Sequence, residues 1–343
     1  MPKFLESSLA RRELLSGLAA SVALPSLTLA AEKADKRPIA LLLPLTGPRA
    51  RLASSMRQAA LLAENSQFVI SFDTGGTAAG AAAAAAKALK AKAAMILGPL
   101  TAEEVPAVSS TVAGRVPVVS FSNDSVLRAP NTWIFGITAS QVTSAILRYA
   151  RSRGVRSVAV IDDGTAWSAA ALLAAGRMES ELGISIHVMP HDQPLADPAP
   201  DAVLLPGSGE AMLTAARRIK GSGVQLLATL QGLDHRPQAL EALDGAWIAS
   251  PDPGAFGTFA AEFEARNGGA AGAITALAYD AAGIANALRK AGKLGSEGLL
   301  DNKGFNCVTG PVRFRTDGSV ARDFAILVAR GQGYEPAAVS SGS

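Results

Sequence analysis

His187 and His191 stand four residues apart, the spacing at which two imidazoles on one helix face can share a metal ion. Pro190 lies between them and cannot occupy a helix interior, so the pair is not expected to form a site. Asp162 and Asp163 are adjacent at the end of an apolar run. Neighbours on a strand point to opposite faces, which is poor geometry for paired-carboxylate catalysis. Gly207-Ser208-Gly209 opens like a dinucleotide fingerprint, but Met212 occupies the third glycine position and a sharp helix entry explains the pair better. There is no His-Glu-x-x-His, no Gly-x-Ser-x-Gly elbow and no Walker loop. Cys307 stands alone, which excludes a disulfide framework and a Cys-rich metal site, and it fits a small packed side chain better than a reactive thiol. Nothing assembles a nucleophile, a base and an orienting group. The sequence therefore predicts that the chain is not an enzyme and carries no metal and no cofactor.

The elements that must carry any binding residues alternate in type along the chain. Ile39–Leu43 is a continuous apolar run, as expected of a strand buried on both faces, and Pro44 to Pro48 break it. Leu52, Met56, Ala59, Ala60 and Ala63 then fall on one helix face. Phe68–Phe72 predicts the next strand, stopped by Asp73-Thr74-Gly75-Gly76, where Asp73 can bond the turn that follows. Ala78–Lys92 is nearly low complexity, but alanine is the best helix former, so a tightly packed helix is predicted there. Further strands are predicted over Ala94–Leu97, Val116–Phe121, Trp133–Phe135, Ser157–Ile161, Ile184–Val188, Ala202–Leu205 and Gln225–Thr229, with helices over Ala166–Leu182 and Glu210–Lys220. Such alternation implies parallel sheets with right-handed crossovers and helices on both faces. Ligands of such sheets sit at the carboxyl ends of the strands.

Length and charge narrow the class. The chain has 343 residues, more than one compact core usually holds, so two lobes are expected. Its formal net charge of +3 forms no Lys/Arg cluster and gives no case for nucleic acid. Residues 1–30 join a weakly basic start (Lys3, Arg11, Arg12) to an apolar run from Leu14 to Leu24 and end in Thr28-Leu29-Ala30, which reads as an export signal. Arg11-Arg12 resembles a twin-arginine signal, with an ordinary secretory start that holds two arginines as the alternative. Ala31, and not a lipid-accepting cysteine, follows the signal, so a soluble periplasmic protein is expected after cleavage.

Several short segments in order then resemble a known family. They are Asp73-Thr74-Gly75-Gly76, Ile96-Leu97-Gly98-Pro99-Leu100-Thr101, Pro117-Val118-Val119-Ser120-Phe121-Ser122 and Val158-Ala159-Val160-Ile161-Asp162-Asp163. Ala278-Tyr279-Asp280-Ala281 and Gly310-Pro311-Val312-Arg313-Phe314 follow near the end. Together they resemble the type I periplasmic-binding-protein superfamily, in its branched-chain amino-acid (Leu/Ile/Val) receptor branch, from about Ile39 to Gly331. The resemblance implies an α/β fold of two doubly wound Rossmann-like lobes with an interlobe cleft. The chain would weave between them, with 37–140 and 253–307 in the first lobe and 141–252 and 308–343 in the second. It implies a small amino-acid-like ligand, lobes that close on it by a hinge, and an ABC permease of the inner membrane as partner. The start Ile39–Pro48 and the turn Ser120-Phe121-Ser122-Asn123-Asp124 are also similar to penicillin-binding-protein activators, which implies a cell-wall synthase as the alternative partner.

Carried onto this chain, the resemblance implies ligand contacts from Leu100, Thr101 and Ala102 after one first-lobe strand and from Ser122, Asn123 and Asp124 after the next. The serine-rich pattern usual at the first loop is replaced by Ala102-Glu103-Glu104. Asp124 would repel a ligand carboxylate unless it takes the amino group. On the second lobe, Trp167 stands where the family often places an aromatic residue, as a lid over the ligand or as packing for its own helix. Gln231, with Gly232, is the other second-lobe candidate. Tyr279 and Asp280 are expected to pack a helix near the hinge.

Overall fold

In the computed structural model, which describes residues 35–342, the apolar run Ile39–Leu43 forms a strand (β1) whose every residue is buried. The segment 1–30 and its export signal lie outside the described residues. A strand enclosed on both faces needs helices above and below it, and the chain supplies them in alternation. After β1 come α1 (Ala50–Leu62), β2 (Val69–Asp73), α2 (Ala78–Lys90), β3 (Met95–Leu97), α3 (Val105–Val112), β4 (Val118–Ser120) and β5 (Thr132–Ile134). The five strands pair in parallel in the order β2-β1-β3-β4-β5. The alanine-rich tract is an ordered helix. Ala81, Ala84, Ala85 and Ala88 of α2 pack against Leu42, Ile96, Val108 and Val118, where their small side chains let helix and sheet approach closely. Thr77 caps α2 by accepting from the Gly80 amide at 3.1 Å.

A second sheet is built from α4 (Ala139–Ser152), β6 (Ser157–Asp162), α5 (Ala166–Leu182), β7 (Ser185–Pro190), β8 (Ala202–Leu205), α6 (Glu210–Ile219), β9 (Gln225–Ala228), α7 (Pro237–Ala242) and β10 (Trp247–Ser250). The chain then runs back to the first layer. Of α8 (Pro253–Asn267) and α9 (Ala273–Lys290), both pack on α1, and α9 also touches β3. After α10 (Ser296–Leu299) it returns to the second sheet as β11 (Val312–Phe314), β12 (Val320–Arg330) and β13 (Gly333–Gly342). These last three strands depart from the all-parallel expectation. β12 pairs antiparallel with β10, β11 and β13, in a sheet of order β11-β12-β10-β9-β8-β6-β7 with β13 also on β12. Only Gly331 and Gln332 separate β12 from β13, a link too short for any crossover, so the pair must be a hairpin.

Asp201 pins the register at the start of the second sheet. Its carboxylate accepts from the amides of Arg156 at 2.7 Å and Ser157 at 3.0 Å, while its own amide donates to Ser157 Oγ at 2.9 Å. Those backbone donors hold the carboxyl below its ordinary value.

The two sheets are tied together by a buried arginine. Arg322 of β12 is wholly enclosed and donates from Nη2 to the Phe135 carbonyl at 2.8 Å, just after β5. Its Nη1 donates to the hydroxyl and the carbonyl of Thr309, just before β11. The Thr309 hydroxyl in turn donates to Asp280 of α9 at 2.5 Å, and the same carboxyl receives the amides of Val308 at 2.8 Å and Thr309 at 3.1 Å. The guanidinium also lies over the Phe135 ring, 4.8 Å from its centroid. Burial pushes the Asp280 carboxyl up from its ordinary value, against the Thr309 hydroxyl and the Arg322 charge that pull it down.

Removing the cation while the carboxylate stays buried should be costly. Arg322→Met is expected to lower unfolding free energy by about 3–5 kcal/mol in urea titrations. The double variant with Asp280→Asn should recover part of that loss. Asp201 predicts the acid behaviour of the second sheet. Its carboxyl is depressed in the folded state, so its contribution is present above the unfolded carboxyl value and is lost as pH falls through the folded one. Asp201→Asn should therefore flatten the decline of melting temperature below about pH 4 and lower stability at pH 7.

Candidate functional site

The loops at the carboxyl ends of the strands meet around a cavity of about 320 Å³. From the first sheet, the chain leaves β3 through Gly98, at φ +101°, where an added Cβ would sit 2.2 Å from the Leu42 carbonyl oxygen. Only glycine allows β3 to end so close to β1. Leu100, Thr101 and Ala102 follow and line the cavity. The exit from β4 is tied to the same loop, because the Ser120 hydroxyl and the Phe121 amide both donate to the Pro99 carbonyl, at 3.1 and 2.9 Å.

Several of the hydroxyl and carboxylate groups expected to hold a ligand are spent in shaping these loops. Thr101 donates both its amide (2.9 Å) and its hydroxyl (2.7 Å) to Glu104, whose carboxylate also receives the Thr74 hydroxyl. Thr101 can thus offer a ligand only hydroxyl lone pairs. Glu104 is fully buried, so the loop carries its own internal acceptor where the family's serines were expected. Ser122 and Asp124 do not line the cavity. Ser122 is buried and accepts the Asp124 amide at 3.2 Å, and Asp124 accepts the Val126 amide at 3.2 Å. Each side chain closes a turn two residues ahead of itself. Asn123 between them does line the cavity, and its side-chain amide has no partner among the described residues.

The second sheet contributes Trp167 and Gln231. Trp167 is the second residue of α5, whose start is capped by Thr165 accepting the Ser168 amide at 3.1 Å. The ring packs on the main apolar core and also faces the cavity, while its indole Nε1–H is buried without an acceptor. An orphaned donor of that kind costs about 1–3 kcal/mol, which a ligand acceptor would offset. Gln231 follows β9 in a turn closed by its amide donating to Thr229 Oγ1 at 3.3 Å, and its side chain is exposed and unpaired. Of the eight candidates drawn from the sequence, the structure therefore gathers Leu100, Thr101, Ala102, Asn123, Trp167 and Gln231 on the cavity and leaves buried Ser122 and half-buried Asp124 off its lining.

Other lining residues escaped sequence reasoning. Arg49, exposed just before α1, faces the cavity, as do Leu52, Phe121, Ile137, Leu230, Ala273, Ile274 and Leu277. Arg49 was within reach of the strand-end rule, since it lies in the loop that leaves β1. Phe121 and Leu230, just after β4 and β9, were within its reach too, whereas Leu52, Ile137, Ala273, Ile274 and Leu277 come from helix faces and a crossing segment whose approach depends on the tertiary fold. Among the described residues, no group of three His, Cys, Asp or Glu side chains could hold a metal ion. No helix there is long and apolar enough to cross a membrane.

Two α/β layers, one on an all-parallel sheet and one on a sheet with an antiparallel end, a chain that passes between them more than once, and a cavity lined from both define a two-lobed binding protein. The chain belongs to the periplasmic binding protein family, whose model matches residues 37–333. Among solved structures it is similar to a Rhodospirillum rubrum protein assigned to a branched-chain amino acid ABC transporter, with 20% identity and a TM-score of 0.74, over 88% of this chain and 99% of that one. It is similar to the C-domain of LpoA from Haemophilus influenzae, a regulator of PBP1A, with 16% identity and a TM-score of 0.71, over 88% of this chain and all (100%) of that one. A solute-binding protein of an R. palustris ABC transporter, solved in complex with benzoate, matches at 16% identity and a TM-score of 0.60, over 89% of this chain and 96% of that one. Among curated protein sequences, nothing matches this chain.

The buried Glu104 predicts how firmly the first-lobe loop is held. Glu104→Ala would strand the Thr74 hydroxyl and the Thr101 amide, and should cost about 2–4 kcal/mol of stability in a thermal or urea melt. Glu104→Gln, which keeps an acceptor, should cost less than half as much.

Proposed function

We propose that this chain is the periplasmic solute-binding component of an ABC transporter. It takes a small polar ligand of the amino-acid type between two lobes, 37–140 with 253–307 and 141–252 with 308–343, which close by a hinge. The observation that carries this reading is the set of unpaired polar groups on one cavity. Asn123 comes from the first sheet's loops, and Gln231 and the Trp167 indole come from the second's. Asn123 and Gln231 are exposed and bond water in the free protein, whereas the Trp167 indole N–H is buried without an acceptor among the described residues, and an acceptor on a ligand in this cavity would satisfy it. The R. rubrum and R. palustris relatives support transport, since one is assigned to branched-chain amino acid uptake and the other holds benzoate. Ligand contact in this reading falls to Thr101, Asn123, Trp167 and Gln231, flanked by Leu100 and Ala102. Ser122 and Asp124 shape the loop that presents Asn123.

The second reading is a regulator of cell-wall synthesis acting through protein contacts. It is favoured by the match to the full LpoA C-domain and by the use of the Thr101 hydroxyl as a donor, and of the Ser122 and Asp124 side chains as acceptors, within their own loops.

A thermal-shift screen of the chain from Ala31 onward against amino acids, short peptides and small carboxylates separates the two. A ligand at a hundred times its dissociation constant stabilises the fold by about 2.7 kcal/mol, a clear rise in melting temperature. The hit should also change Trp167 fluorescence, and Trp167→Leu should weaken its binding. A flat response across the panel would favour the regulator.

A further inference from the structure

The cavity between the sheets carries one formal charge, and it is positive. Arg49 lines it with an exposed guanidinium that makes no hydrogen bond or ion pair among the described residues. No aspartate or glutamate lines it. The nearby acids face elsewhere. Glu104 is enclosed beneath Thr101, Asp124 accepts the Val126 amide, and Asp163 accepts the Thr165 hydroxyl at 2.7 Å and amide at 3.0 Å. Exposed Glu103, beside Ala102, is not a lining residue. A bound zwitterion would have to leave its ammonium without a counter-charge and close to Arg49, an expensive arrangement in a partly dry cleft. A plain carboxylate needs only the guanidinium and neutral donors, which Asn123, Gln231 and the Trp167 indole supply.

A second cavity of about 470 Å³ adjoins the first, and Leu230 and Ala273 line both. Its walls include Leu233, Phe256 and Leu327, with Pro251 and Pro253 presenting no N–H. Its two side-chain hydroxyls are already engaged. The Tyr334 hydroxyl accepts the Asp234 amide at 2.9 Å and donates to the Asp234 carbonyl at 2.7 Å, and Ser250 Oγ donates to the Pro251 carbonyl at 3.0 Å. His235 stands edge-on to the Tyr334 ring, 5.1 Å between centroids, at an exposed position. The second cavity therefore offers a ligand mainly apolar surface, with the His235 imidazole as its polar side chain not hydrogen-bonded among the described residues.

We propose that the ligand is a carboxylic acid without an amino group, its carboxylate paired with Arg49 and its apolar body reaching past Leu230 and Ala273 into the second cavity. This deepens the solute-binding reading and rests on it. Titration calorimetry with 4-phenylbutyrate, benzoate, 4-phenylbutylamine, phenylalanine and leucine as probes tests it. 4-Phenylbutyrate should bind at least about tenfold tighter than either amino acid, and the amine should give no signal. Arg49→Gln should weaken 4-phenylbutyrate by about tenfold or more with an unchanged melting temperature, since the side chain is exposed, and Arg49→Lys should recover part of the loss. Leu233→Trp, which fills the second cavity, should weaken 4-phenylbutyrate while leaving benzoate unaffected. Tighter binding of leucine or phenylalanine than of the acids would overturn the proposal and leave the solute-binding reading standing. Acid binding indifferent to Arg49→Gln would also overturn it. Silence from every acid and amino acid would overturn the proposal and the transport reading together.

Discussion

One fully buried guanidinium holds the crossing segments together. A chain that leaves the first sheet after β5, returns to its face in α8 and α9, and goes back as β11 must bring those passages together with few strands to spare. Arg322 does so with one side chain, bonding the Phe135 carbonyl on the first passage and Thr309 on the last. Thr309 hands the contact on to Asp280, so α9 joins the same cluster. The planar fork of arginine can serve two carbonyls and a hydroxyl at fixed angles, which the single ammonium of a lysine could not. The cost of enclosing a charge is offset by those bonds, by the Phe135 ring and by the carboxyl beyond Thr309.

Anchoring the crossings on a buried cluster leaves the strand-end loops free for recognition, and within those loops two sets of polar groups can be told apart. Ser120, Ser122, Asp124, Thr101 and Glu104 spend their hydrogen bonds on neighbouring backbone or on each other. The side chains of Asn123, Gln231 and Arg49 and the Trp167 indole have no hydrogen-bond partner among the described residues. The first set gives the loops a defined shape without a ligand, and the second gives that shape its chemistry. A fold shared with transport proteins and with a cell-wall regulator says little about which role this chain plays. The unpaired groups and the sign of their charge say more, because they are the part of the fold not needed to form it.

Much of the secondary structure was legible because its cause is local. Ile39–Leu43 is apolar throughout and could only be an enclosed strand, and the alanine tract could pack as a helix because nothing in it favoured another state. Ala166–Leu182 begins after a capping threonine and ends at Gly183 in the left-handed region, both readable in the sequence. Six of the eight candidate binding residues line the cavity because loops following parallel strands must emerge at one edge of a sheet. Ser122 and Asp124 fall outside that lining for an equally physical reason. A hydroxyl or carboxylate in a loop can turn outward to a ligand or back to an amide two residues on, and spacing does not distinguish the two.

The sequence by itself determined the alternation of strands and helices, the parallel strands and the sheet edge at which the cavity lies, since apolar period and turn chemistry act over a few residues. Tertiary structure alone decided the antiparallel hairpin on the second sheet, the enclosure of Arg322, and the meeting of Arg49 with Trp167 across one cavity. The last two join segments separated by more than a hundred residues, and only packing brings their side chains within reach of each other.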